Sequence, residues 1–374
     1  MSRPLFVVLL LFALIGDARV MLFVLNRIVF GSHREEKSRL HWLLYAVPPL
    51  LLALTLLYRT TAGQVWLFVA AGIGIYWILD RARVLVQRDR EVAGTRTLES
   101  EIVRLRKAHI QFASLRKLGA HNDVYDIEVT RHEVFIDDLP PSFDGYRIAF
   151  LTDTHVASFM RRTLYREVVA QTMRFEPDLV LLGGDFVTWE RHIPLMAELL
   201  LTGLEARDGI YAVLGNHDYW ANADGVVAAM TARGVRFLIN RSVVLRRGEE
   251  TISLVGIDEM YRGAPDVDSA FALVDGPCVA LSHHPDIIDL LRGRRVDLLV
   301  CGHTHGGQIR VPFFGSIVVP SRHEARYASG FHREERVLMY VSRGIGAIPP
   351  LRILCKPEIA TLVLRRSPDA HETV

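Results

Sequence analysis

The first eighty residues alternate long apolar blocks with short basic ones. Residues 5–30 form one block, interrupted by Asp17, Arg19 and Arg27. Residues 40–58 run for 19 positions without Asp, Glu, Lys or Arg, with Pro48-Pro49 inside, and residues 60–79 for 20. A membrane-spanning helix needs ~20 predominantly apolar residues, so residues 1–80 read as a transmembrane region of about three helices. The first block has an alternative reading as a cleaved signal peptide: Arg3, an apolar core at 5–15, then the small-residue site Gly16-Asp17-Ala18. A second apolar run at 20–25 follows at once and favours a helix. Asp17 and Arg19 would cost ~2.5–3.5 kcal/mol each at mid-membrane. Two positions apart, they do not face each other on a helix. They predict either a broken helix or a polar face between packed spans.

The pattern then changes twice. Residues 81–124 form a polar, basic linker. Leu98, Ile102, Leu105 and Phe112 share one arc at helical period. That predicts an amphipathic helix, lying on an anionic membrane surface or packed on the domain that follows. From 125 to 365, short β-branched apolar runs alternate with helical segments. Strands are predicted at 127–135, 147–152, 179–182, 210–214, 251–257, 279–282, 298–301, 337–342 and 359–364. Helices are predicted at 164–174, 193–204, 225–233 and 285–291. Such alternation argues for a layered α/β domain, whose ligands sit at the loops after the strands. Residues 366–374 read as a polar tail.

Composition narrows the class. With 50% hydrophobic and 23% charged residues in 374, the chain is not disordered. The net charge of +2 is unevenly spread. Residues 1–120 hold 17 basic and 8 acidic side chains, and the remainder holds 27 and 34. The basic part is interleaved with apolar blocks, so membrane lipids are the expected partners. Nucleic acid is not expected, and no protein partner is inferable. Positive flanks stay in the cytoplasm. The flanks at 27–39 and 81–90 then fall on one side, predicting a multi-pass inner-membrane protein whose soluble domain faces the cytoplasm. Cleavage after Ala18 would reverse that orientation. Three cysteines (Cys278, Cys301 and Cys355) are too few and too scattered for a disulfide scaffold or a zinc ribbon.

The chemistry lies where the apolar runs of the α/β domain end. The five runs lead into Asp153-Thr154-His155, Gly183-Gly184-Asp185, Gly215-Asn216-His217-Asp218, His283-His284-Pro285-Asp286 and Gly302-His303-Thr304-His305. Oxygen and imidazole donors without thiolates suit a borderline divalent ion such as Mn²⁺, Fe²⁺ or Zn²⁺. Seven candidate ligands exceed one tetrahedral site, so two ions are expected. Such a pair can clamp a phosphoryl group and activate water. Either His283 or His284 could serve from the fourth loop.

These five motifs resemble those of the calcineurin-like metallophosphoesterases over residues 145–365. Leu139-Pro140, Gly306-Gly307-Gln308, Ser342-Arg343-Gly344-Ile345-Gly346 and Pro357-Glu358 are similar to a membrane-anchored bacterial subgroup. That subgroup includes UDP-2,3-diacylglucosamine pyrophosphohydrolase-like enzymes of lipid A synthesis. The resemblance implies a four-layer α/β/β/α sandwich and two divalent ions, most simply Mn²⁺. It implies Asp153, His155 and His305 on the first ion, Asp185 bridging, and Asn216, His283 and His303 on the second. His217 would protonate or stabilise the leaving oxygen. Many relatives carry a second Asp three residues after the bridging one, and here that position is Thr188. What orients His217 is therefore open, with Asp218 one candidate. Arg343 or Arg352 could pair with a substrate phosphate, because guanidinium forks match phosphate oxygens. A structural salt bridge is the alternative, more so for Arg352. Gln308 and Tyr219-Trp220 could shape the substrate site, or simply anchor their loops. The implied activity is hydrolysis of a phosphodiester or pyrophosphate bond, in a lipid-linked substrate such as UDP-2,3-diacylglucosamine. A tethered general phosphodiesterase or protein phosphatase is one alternative. A signalling or scaffold protein with a vestigial catalytic domain is another.

Overall fold

The structure, a computed structural model, describes residues 3–30, 50, 51, 53, 55, 57, 60–88, 92–105, 121–312, 314–316 and 318–368. The chain divides into two compact units: Met1–Arg90 with Arg310–Arg326, and Glu91–Ile309 with Tyr327–Val374. The sequence pattern gives one continuous catalytic domain over 125–365. In the structure the segment Arg310–Arg326 groups with the first unit.

In the first unit, α1 (Arg3–Phe30) and α2 (Thr61–Arg88) are 28 residues each. Within them, Pro4–Phe23 and Thr61–Arg83 are long and apolar enough to cross a membrane. The predicted span at 40–58 lies largely outside the described residues. Small residues make the α1–α2 contact. A Cβ on Gly16 would meet the Ala70 carbonyl, and one on Gly74 that of Phe12. Such spacing lets two backbones approach closely, as in membrane helix pairs. α1 runs unbroken through Asp17, so the reading as a polar face between packed helices is the one realised. The buried Asp17 carboxylate accepts from Thr55 Oγ1 at 2.7 Å and Trp66 Nε1 at 2.9 Å. Arg19 pairs with Glu324 at 2.5 Å.

The second unit is a four-layer sandwich. Its first sheet contains β1 (Thr95–Arg104), β2 (Asp126–Ile136), β3 (Arg147–Leu151), β4 (Leu179–Leu182), β5 (Ile210–Ala212) and β6 (Val235–Phe237). The second contains β7 (Arg241–Arg247), β8 (Glu250–Gly256), β9 (Cys278–Leu281) and β10 (Leu298–Cys301). In the first unit, β11 (Arg310–Val311) and β12 (Gly315–Ser316) pair with each other. The second sheet is completed by β13 (Gly330–Glu334) and β14 (Val337–Val341), and the first by β15 (Glu358–Arg366). The orders are β1-β2-β15-β3-β4-β5-β6 and β13-β14-β10-β9-β8-β7. β3 to β6 run parallel, as do β8, β9, β10 and β14.

Helices α3 (Arg162–Arg174), α4 (Ile193–Leu201) and α6 (Ala223–Thr231) cover the first sheet, and α7 (Val267–Phe271) the second. The short α5 (Asn216–Ala221) lies at the end of β5. Alternation along each strand divides the core. Ile148 and Phe150 of β3 face the second sheet, and Ala149 and Leu151 face the helices. Leu298 and Val300 of β10 face inward, and Leu299 and Cys301 outward. Strands buried on both faces read as continuous apolar runs, which is why the sequence reveals them. Cys278, Cys301 and Cys355 are free and buried. Burial pushes the Cys278 thiol up to about 12.

The predicted amphipathic helix is corrected. Residues 95–104 are strand β1, antiparallel to β2 from Thr95↔Val134 to Arg104↔Asp126. The four-residue spacing of Leu98 and Ile102 satisfies a helix face and a strand face alike. Thr95, Thr97, Ile102 and Val103 favour the pleated form, and β2 offers a free edge to pair. Phe112 lies outside the described residues.

Candidate metal centre

Each ligand loop begins where a parallel strand stops. β3 delivers Asp153 and His155, β4 Asp185, β5 Asn216 and His217, β9 His283, and β10 His303 and His305. The chain turns sharply there. Asp153, His155, Asp185, His303 and His305 have φ values of 43° to 70°, a region few non-glycine residues visit. Strained positions of this kind concentrate at functional sites. Two glycines make the crowding tolerable. A Cβ on Gly215 would meet the Asp185 carboxylate, and one on Gly302 that of Asp153.

Two groups of donors share one carboxylate. In the first, Asp153, His155, Asp185 and His305 offer atoms within 4.8 Å of one another; in the second, so do Asp185, His283 and His303. Asp185 Oδ2 lies 3.5 Å from His155 Nε2 and 3.4 Å from His283 Nε2. His305 Nε2 is 3.1 Å from His155 Nε2 and 3.4 Å from Asp153 Oδ1. His303 Nδ1 is 3.0 Å and Asn216 Oδ1 3.2 Å from His283 Nε2. His283 Nδ1 donates to the Gly183 carbonyl at 2.8 Å, which aims Nε2 at the group. The structure thus gathers all seven ligand candidates. His284 is buried with its ring 3.9 Å from that of His303, and its Nδ1 accepts from Asp286 N. The fourth-loop histidine within the donor groups is His283.

These donors fit divalent cations. Imidazoles, a hydroxyl and backbone N–H groups meet the Asp153 and Asp185 carboxylates, and among the described residues no Lys or Arg does. His155 Nδ1 is buried without a hydrogen-bond partner among the described residues. Burial, with neighbouring imidazoles, holds His155 and His303 well below the ordinary histidine value, so both present lone pairs. Burial and then the Arg352 guanidinium bring His305 down to about 3. Burial opposes the charged form of Asp185, but His283 and His217 outweigh it and hold the carboxyl well below its usual range.

His217 lies at the edge of this cluster. Its backbone N–H donates to Asp185 Oδ1 at 2.8 Å. Its ring meets His155 edge-on at 4.7 Å and Trp220 at 4.5 Å. Burial lowers its ring below the ordinary value, opposed by Asp185. Asp218 does not orient it. That carboxylate accepts from Asp185 N, Phe186 N and Gly215 N at 2.8 to 2.9 Å, so it staples two ligand loops together. The Thr188 hydroxyl is buried without a partner among the described residues. Ring contacts with His155 and Trp220 hold the His217 imidazole.

Three substrate candidates have partners within the protein. Arg343 is spent on two carboxylates, Glu128 at 2.7 Å and Glu358 at 2.8 Å. The Gln308 amide donates to the Pro349 carbonyl at 3.1 Å. The Tyr219 hydroxyl donates to Asp258 at 2.6 Å. Each anchors a loop. Arg352, fully buried, donates to carbonyls of Arg343, Gly344 and Gly346. The sequence reading missed Asp258 and Glu259, although β8 ends in carboxylates just as the ligand strands end in donors.

A family model described as calcineurin-like phosphoesterase matches residues 146–307. The phosphodiesterase YaeI of Escherichia coli is 31% identical over 243 residues, covering 63% of this chain and 88% of that protein. A transmembrane protein with metallophosphoesterase domain from Danio rerio is 27% identical over 312 residues, 78% of this chain and 70% of that one. The UDP-2,3-diacylglucosamine pyrophosphatase LpxG of Chlamydia trachomatis is 26% identical over 287 residues, 60% of this chain and 86% of that one.

Proposed function

The chain belongs to the calcineurin-like phosphoesterases, metal-dependent hydrolases that use two divalent ions, and we propose that it cleaves a phosphodiester or diphosphate bond in a lipid-linked substrate. The observation that carries the reading is Asp185, one carboxylate shared by two donor groups. Asp153, His155 and His305 would hold one ion and Asn216, His283 and His303 the other, with Asp185 between them. Mn²⁺ suits this mixed oxygen and imidazole set. When bound, such a pair supplies Lewis-acid stabilisation and an activated water. His217 delivers a proton to the departing oxygen. The Asp218 staple keeps the Asp185 and Asn216 loops in register.

Two apolar helices of spanning length support a membrane-confined substrate, because tethering raises its effective concentration. The likeness to LpxG, at 26% identity, supports a nucleoside-diphosphate lipid such as UDP-2,3-diacylglucosamine. The basic flanks support a multi-pass inner-membrane protein with its catalytic unit in the cytoplasm. The test is a substrate panel with full-length protein in detergent and Mn²⁺. Turnover of the acylated nucleoside diphosphate well above that of soluble diesters is expected. Equal turnover of both would favour a tethered general phosphodiesterase. A fluorescent reporter fused after Val374 should light up, and an alkaline phosphatase fusion should stay inactive. The opposite pair rejects the cytoplasmic orientation.

A further inference from the structure

Beside His217 stand two side chains to which the reaction as described assigns no substrate contact. Trp220 is 56% exposed, edge-on to the His217 ring at 4.5 Å. The Arg262 guanidinium lies over the same indole, 5.3 Å from its centre. Among the described residues no carboxylate pairs with Arg262.

The loop that presents Arg262 is built from the inside. Glu259, fully buried, accepts from the backbone N–H of Tyr261 at 2.8 Å and of Arg262. Asp258, also buried, accepts from Ala264 N at 2.8 Å and from Tyr219 Oη at 2.6 Å. One acidic pair therefore fixes both the turn carrying Arg262 and the helix carrying Trp220. An exposed cation–π pair contributes only ~0.5–1 kcal/mol, little reason by itself to bury two carboxylates. What the arrangement yields is a guanidinium with no carboxylate partner among the described residues and a half-exposed indole next to the residue that meets the leaving oxygen.

We propose that Trp220 and Arg262 form a leaving-group subsite that binds a phosphate carried by the departing group. The enzyme then favours diphosphate diesters over simple phosphodiesters. The inference rests on the placement of His217 at the leaving oxygen in the reading above. In the step concerned, water adds to one phosphorus and the P–O–P bond breaks. The proton passes to the departing oxygen, and the leaving phosphate monoester lies against the Arg262 fork, which matches its oxygens. The indole supplies a flat face for whatever ring that phosphate carries.

The molecule holds its own control. Arg191 lies over Trp189 at 4.9 Å, and Trp189 is 41% exposed. That indole contacts Phe159 and His192, not His217. Removing Arg191 changes the net charge as much as removing Arg262 does.

The experiment uses full-length protein in detergent with Mn²⁺, and two soluble substrates, UDP-glucose and bis(p-nitrophenyl) phosphate. Attack at either phosphorus of UDP-glucose releases a phosphate monoester. Arg262→Ala should lower kcat/KM on UDP-glucose by ~10-fold or more, the loss typical of a charged hydrogen bond. On bis(p-nitrophenyl) phosphate the change should stay within about twofold. Arg262→Lys should recover part of the loss, and Arg191→Ala should behave as wild type on both substrates. Calorimetric binding of AMP should weaken in Arg262→Ala and not in Arg191→Ala. Equal loss on both substrates, no loss on UDP-glucose, or an Arg191→Ala effect of the same size would overturn the subsite. Wild-type protein active on the diester and inert on UDP-glucose would overturn it too, leaving the phosphodiesterase reading intact. Inactivity on both, and on the acylated nucleoside diphosphate as well, would reject that reading itself.

Discussion

On α1 and α2 the large apolar side chains face outward. Leu5, Leu11, Val65, Phe68 and Leu79 are each more than half exposed, while Ala13, Ala70 and Ala71 fill the helix contact. The polar Asp17 turns inward to Thr55 and Trp66. In the catalytic unit the apolar side chains form three inner layers, and polar groups are buried chiefly where strands end. Both units bury carboxylates, but to different ends. Asp17 is satisfied by a hydroxyl and an indole N–H, as suits a group shielded from hydrocarbon. Asp153 and Asp185 face the rings of His155, His283 and His305, and together these groups make a site for cations. The contrast shows that burial alone does not mark a catalytic carboxylate; convergence of several donors on it does.

The sharpest way to break this comparison is Asp185→Ala. It should take metal content from near two ions per chain to near none and abolish turnover, read by metal analysis and a diester assay. Full metal content in that variant would defeat the shared-carboxylate reading. Asp17→Ala should leave both measurements unchanged.

His217→Ala comes next. Metal content should persist while kcat falls ~10²–10⁴-fold, the range for a lost general acid. Loss of metal instead would make His217 a ligand.

Arg343→Met tests a buried charge that holds structure rather than substrate. Removing one partner of a buried ion pair costs ~3–5 kcal/mol, read by denaturant unfolding of the catalytic unit. Burial would raise the Glu358 carboxyl, but Arg343 overcomes this and holds it down to about 2. A depressed carboxyl stabilises the fold above its unfolded-state value and ceases to do so as pH falls through the folded one. The stability gap between wild type and variant should therefore narrow as pH drops from about 4.5 towards 2. A gap constant over that range would dissociate Glu358 from the effect.

The smallest effect belongs to the helices. Asp17→Leu removes two hydrogen bonds between packed segments, each ~0.6–1.7 kcal/mol by membrane-protein precedent. Thermal stability in detergent should fall slightly, with turnover of a soluble diester unchanged. A marked loss of turnover would couple the helix packing to catalysis.

The five ligand loops were legible in the sequence because parallel strands buried on both faces leave unbroken apolar runs, and the chemistry begins at the next residue. Leu179–Leu182 and Leu298–Cys301 carry that signal within four residues each. The apolar, charge-free length of 60–79, within the spanning-length segment Thr61–Arg83 for all but its first residue, was legible for the same local reason. Periodicity reports only how a side chain points about its own local axis. It could not tell that 95–104 would pair with the edge of β2, since its spacing suits both a helix and a strand. Nor could it tell that Arg343 would meet Glu128, 215 residues away in the chain, rather than a substrate phosphate. Which group neutralises a charge depends on what the folded chain brings within hydrogen-bond reach. That is why the sequence determined the donors and their loops, while only the tertiary structure decided which polar side chains were left over to bind anything else.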